Sequence, residues 1–66
     1  MASAKEISAT QKSHLTSLLK VKRSYVKSPV AHEVQAVLDE EIQNAVAVMD
    51  KEDVAWCEKI IGVKAL

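Results

Sequence analysis

Apolar and polar positions along the chain sort into three helical stripes. Ile7, Leu15, Leu18, Leu19, Tyr25 and Val26 fall on one side of a helix with about 3.6 residues per turn, and Lys12, Lys20, Arg23 and Lys27 fall on the other. The spacing predicts a first helix over about residues 4–26. Its stripe is interrupted by Gln11 and Lys22, with His14 at the edge. Lys22 is expected to lay its stem along the core and keep its ammonium in water; the alternative is a polar seam position that fixes register. A second stripe, Val30, Val34, Val37, Leu38, Ile42, Ala45, Val48 and Met49, is broken only by Glu41 and predicts a helix over about 29–49. A third, Val54, Trp56, Cys57, Ile60 and Ile61, predicts a short helix over about 51–61.

The helix ends carry their own signals. Ser3 and Glu6 have capping-box spacing, and Ser8 and Gln11 offer a second start one turn later. Ser28 is a good N-cap and Pro29 a good first helical residue, so the second helix is expected to begin where the first stops. A connection that short favours two antiparallel neighbours. Asp50 with Glu52 and Asp53 looks like a fresh start, Met49 and Val54 are placed for a hydrophobic staple, and Gly62 is a good stop. The rival reading runs the second helix straight through Asp50, because Trp56 and Ile60 extend its stripe. Residues 63–66 read as a loose tail.

Composition narrows the class. One glycine and one proline leave almost no turn chemistry for a sheet, and 48% apolar residues are too many for a disordered chain. The expected fold is all-α: an antiparallel helical hairpin plus a short third helix, in one domain over residues 1–66. A chain this short buries only about 60% of its unfolded surface, and a lone core of this size supplies no more than about 3–5 kcal/mol. Cys57 is the only cysteine, so no disulfide closes within the chain and a reducing, cytoplasmic setting fits. Assembly as a homo-oligomer, or docking on a larger partner, is the remaining source of stability.

The net charge of zero hides an asymmetry. Residues 1–32 carry six cations and one acid, a net of +5, whereas residues 33–66 carry eight acids and three lysines, a net of −5. Antiparallel packing would set a basic flank beside an acidic one. Exposed pairs of this kind are worth only about 0–1 kcal/mol each, so they would choose orientation and partner more than supply stability. The first 28 residues, basic and rich in Ser and Thr, superficially fit a transit peptide, but the same stretch carries a helix signature that belongs to the fold. No run is apolar enough to span a bilayer.

Candidate chemistry is sparse. A nucleophilic cysteine needs a base and an electropositive setting; Cys57 lies on an apolar face next to Glu58, which predicts a neutral core thiol. His14 and His32 sit on different helices, and the pairs His32-Glu33 and Glu40-Glu41 lack the spacing of helical metal ligands. There is no glycine-rich phosphate loop. No catalytic, metal or cofactor residues are therefore assigned, and a non-enzymatic role is expected. Val54-Ala55 followed by Ile60-Ile61-Gly62-Val63 resembles the first helix and turn of a helix-turn-helix unit, but no recognition helix follows within the 66 residues.

Six residues remain as interaction candidates: Lys20, Lys22, Arg23, Tyr25, Lys27 and Trp56. The first five form a basic stretch that suits phosphates, with the N-terminus of the second helix near Val30 and Ala31 as a second anion-attracting element. That would make the chain a binder of nucleic acid or nucleotide, although such domains are usually basic overall. Membrane attachment by the basic helix ranks last, since Gln11, His14 and Lys22 interrupt its face. Trp56 is either an interface anchor or the plug of its own core. The leading expectation is a small helical inhibitor or adaptor that self-associates and docks on a larger protein.

Overall fold

A computed structural model describes residues 3–66. These form three α-helices, α1 (Ala4–Lys27), α2 (His32–Ala47) and α3 (Lys51–Ile61), and no strand. The 24 residues of α1 make about 36 Å of helix, which accounts for the longest dimension of the molecule, 39 Å. Both other helices pack along α1. Such a rod is less compact than a globule: the radius of gyration is 12.2 Å, against about 10.8 Å for a compact domain of this length.

The ends of α1 follow local chemistry. The Ser3 hydroxyl accepts from the Glu6 amide at 3.2 Å, the hydroxyl half of the expected capping box. At the other end Ser28 is not the N-cap of α2 but the C-cap of α1, and its amide donates to Ser24 O at 2.9 Å. Nor is Pro29 the first residue of α2. That helix starts three residues later than the sequence suggested and ends at Ala47 rather than 49. The reason lies in the reach the connection needs. Neighbouring helix axes lie about 8–10 Å apart, and the three residues 29–31, none of them helical, span up to about 10 Å. Pro29 still helps to end α1, by disfavouring helical geometry at Ser28. The cost falls on α2, whose N-cap, Ala31, has no side-chain acceptor.

The helical path does break before α3. Val48 ends α2, Asp50 is the N-cap of α3 in extended geometry, and Gly62 ends it at φ 79°, a left-handed conformation that glycine adopts without strain. Leu15 and Leu19 of α1, Leu38, Ile42 and Ala45 of α2, and Cys57 and Ile61 of α3 share one buried cluster. Met49 and Val54 pack partly buried against it.

Residues 63–66 are not a loose tail. Ala65 is buried in the core and its amide donates to Glu58 Oε2 at 2.6 Å, while Val63 packs against the cluster. The left-handed turn at Gly62 sends the chain back over α3, where the Glu58 carboxylate meets it. No helix among the described residues is long and apolar enough to cross a membrane.

Candidate functional site

The polar residues that interrupt the α1 stripe turn out to be fasteners. Gln11 Nε2 donates to Val48 O, the C-cap carbonyl of α2, at 3.2 Å. Lys22 Nζ donates to Lys64 O at 3.0 Å and to Ala65 O at 3.1 Å. Arg23 Nη1 donates to Ile61 O at 3.1 Å, at the end of α3. Ser8 Oγ donates to Asp53 Oδ2 at 2.8 Å, in the first turn of α3. The last carbonyls of a helix lack intrahelical partners and carry partial negative charge, so the Arg23 cation is well matched to Ile61 O at the end of α3. Lys22 thus directs its ammonium to carbonyls of the chain itself.

These contacts divide the six candidates. Lys22 and Tyr25 line an open cavity of about 280 Å³ with Val26, Pro29, Gln35, Leu38 and Asp39. Arg23 is drawn towards α3, and Lys27 is exposed at the last turn of α1. Lys20 lies in a different place, on the wall of a groove between α1 and α3. The structure therefore does not gather the five basic-stretch residues into one pocket. The anion-attracting helix start moves as well: the first turn of α2 is now 32–35, and it holds Glu33.

The groove, about 410 Å³, is larger than the cavity beside Tyr25. Ala9, Lys12, Ser13, Thr16 and Lys20 form its α1 wall, and Trp56, Ile60 and Ile61 its α3 wall. Trp56 is not a core plug: it remains 48% exposed, and Ile60 55%. The Lys12 ammonium stands 5.0 Å from the centroid of the Trp56 ring, within range of a cation–π contact. The lining carries two cations and no acid. Sequence reasoning found Trp56 and Lys20 but missed Lys12, Ser13 and Thr16. With Ala9 and Lys20 they are spaced along one face of α1, which reads as solvated until α3 is laid beside it.

A second uncovered surface runs along α2. Val34, Val37 and Glu41 recur at one flank of that helix, beside the buried Leu38, Ile42 and Ala45, and Val48 follows at its C-cap. All four are exposed, Val37 at 61% and Val48 at 67%.

Cys57 has no exposed surface, and its Sγ donates to Lys12 O at 3.6 Å. Burial pushes its thiol pKa up, Asp53 and Glu58 add to the rise, and Lys12 opposes it. That environment keeps the thiol neutral, the opposite of an activated nucleophile. No group of three or more His, Cys, Asp and Glu residues among those described is placed to hold a metal ion.

Comparison with known proteins gives no relative to reason from: no family model, curated protein or solved structure matches the chain.

Proposed function

We propose that this chain is a non-enzymatic protein–protein interaction module of one domain, a small helical inhibitor or adaptor that self-associates and docks on a larger protein. Its architecture reads as an antiparallel α1–α2 hairpin with α3 laid back along α1. Support for the hairpin comes from both ends: Gln11 meets Val48 at one, and Tyr25, Pro29 and Leu38 share a cavity at the other.

The observation that carries the reading is surplus exposed surface that includes large apolar side chains. A folded monomer of 7.2 kDa exposes about 4,100 Å² by the usual size scaling. This chain exposes 4911 Å², several hundred square ångströms more. Trp56, Ile60, Val37 and Val48 contribute to it, each about half exposed or more. Standard-size interfaces remove about 800 Å² from each partner, so an excess of this order is what one contact would cover.

Size-exclusion chromatography with light scattering tests self-association, and a pull-down from the native host with mass readout tests the larger partner. Oligomers and a stoichiometric co-purifying protein are expected. A heat-resistant monomer that captures nothing would remove the basis for the reading.

Binding of an anionic ligand, nucleic acid or nucleotide, through Lys20, Lys22, Arg23, Tyr25 and Lys27 is the alternative proposal. It is the weaker one, because Lys22 and Arg23 already donate to carbonyls of the chain. Its signature is an affinity that falls steeply with salt. Unchanged binding after reversal of Lys22 and Arg23 to Glu would dismiss it.

A further inference from the structure

The two uncovered surfaces are complementary in shape and in charge. The α1–α3 groove is concave, walled on its α3 side by Trp56, Ile60 and Ile61, and carries Lys12 and Lys20 without an acid. The α2 flank is a convex row of Val34, Val37 and Val48 with Glu41 among them, and Glu40 is exposed beside it. Both run for several turns of helix: from Ala9 to Lys20 the groove follows about 16 Å, and from Val34 to the end of α2 the row follows about 20 Å. Amphipathic helices dock in apolar grooves by i, i+3 and i+7 anchors, and Val34, Val37 and Glu41 have that spacing.

We infer that the α1–α3 groove receives the α2 flank of a second copy of this chain, valines against Trp56 and Ile60, and Glu41 towards Lys20 or Lys12. The inference rests on the self-association proposed above and specifies which surfaces meet. It also explains why the charges of the chain are segregated. A basic α1 and an acidic α2 give each copy one cationic socket and one acidic plug, so opposite charge selects the socket–plug contact over socket–socket or plug–plug. Because the two halves of the contact are different surfaces, every chain carries both, and association continues from copy to copy until the geometry closes.

Three variants test it: Lys20→Glu, Glu41→Lys and Trp56→Ala, each at an exposed position, with helix content checked by circular dichroism. Association is read by sedimentation and light scattering at low salt. Either charge reversal is expected to weaken it by about tenfold or more, and Trp56→Ala by about thirtyfold, as for a central aromatic anchor. The decisive sample is an equimolar mixture of the Lys20→Glu and Glu41→Lys chains. Each has a like-charged contact with itself and opposite charges with the other, so the mixture recovers the wild-type strength. A mixture that stays as weak as its components overturns the pairing. So does wild-type-like association of all three variants, while leaving self-association standing. A wild-type chain still monomeric at about 1 mM, where even a weak contact is populated, overturns both and assigns the groove to another occupant.

Discussion

Lys22 on α1 donates its ammonium to the carbonyl oxygen of Ala65, 3.1 Å away, and reaches the neighbouring Lys64 carbonyl at 3.0 Å. One cation thereby seats the segment after α3 on the C-terminal part of α1. The same segment is held from its own side by the Glu58 carboxylate on the Ala65 amide. Lys22 is the side-chain donor to those two carbonyls among the described residues, and without it Ala65 would lose one of the two supports that keep it in the core.

Lys22→Met isolates this contact, because methionine retains most of the apolar stem and loses only the donor. Hydrogen bonds to charged groups contribute about 1.5–3 kcal/mol when buried; Lys22 is only half-buried, so a loss of about 1 kcal/mol is expected. Denaturant melts measure it. Amide exchange adds a local readout, since the Ala65 amide should exchange faster in Lys22→Met and in Glu58→Gln while amides in mid-α1 change little.

The uncapped start of α2 makes a prediction of opposite sign. Ala31 has extended backbone geometry and is exposed, which suits a capping side chain. The Val34 amide already donates to Ala31 O at 3.0 Å, so Ala31→Asp supplies an acceptor chiefly for the amide of residue 33 and a negative charge at the positive end of the helix dipole. A gain of about 1 kcal/mol is expected, which for a domain of this size raises Tm by about 4–8 °C. A variant no more stable than the wild type would show that the first turn of α2 is already satisfied in solution.

Helix number, the break before Asp50 and the stop at Gly62 were legible because they depend on local chemistry: periodic apolar stripes, an acidic first turn, one glycine. What the sequence hid is where one helix serves another. Gln11 and Lys22 looked like blemishes on a stripe, yet each donates to a carbonyl more than thirty residues away. Such partners have no fixed spacing, so no pattern announces them. Pro29 misled for a related reason. A proline suits both a helix start and an extended connector, and only the distance between axes decides between them. On the candidate groove, Trp56 stood out by its chemistry, whereas Lys12 and Thr16 become wall residues only because α3 settles on that side of α1.

Cys57 links stability to alkaline pH. Its folded pKa is raised, so above the ordinary thiol value of about 8.5 the unfolded chain gives up its proton while the folded chain keeps it. The unfolded state then binds fewer protons, and stability falls as pH rises. The contribution is intact below about pH 8.5 and is lost as pH climbs through the folded pKa. Cys57→Ala should flatten that part of the pH profile even though it lowers stability at neutral pH. Alkylation of the native thiol should be slow and should accelerate only under conditions that open the fold.

The sharpest contrast lies within α2, between its buried and uncovered rows. Ile42 is fully buried in the cluster that joins all three helices. Ile42→Ala removes its packing and leaves a cavity, at a cost of about 2–5 kcal/mol. That equals most of what a core this small supplies, so the variant should be largely unfolded at 37 °C. Val37 is one turn away and 61% exposed. In a dilute sample Val37→Ala should shift stability by no more than about 0.5 kcal/mol. Its effect should surface with concentration instead. Association that consumes the folded state raises Tm as protein is added; if the valine row is a contact between copies, Val37→Ala flattens that rise. Thermal melts of both variants over a hundredfold dilution series separate the two roles. Equal losses at every concentration would place Val37 in the fold of the single chain and take the α2 flank out of any interface.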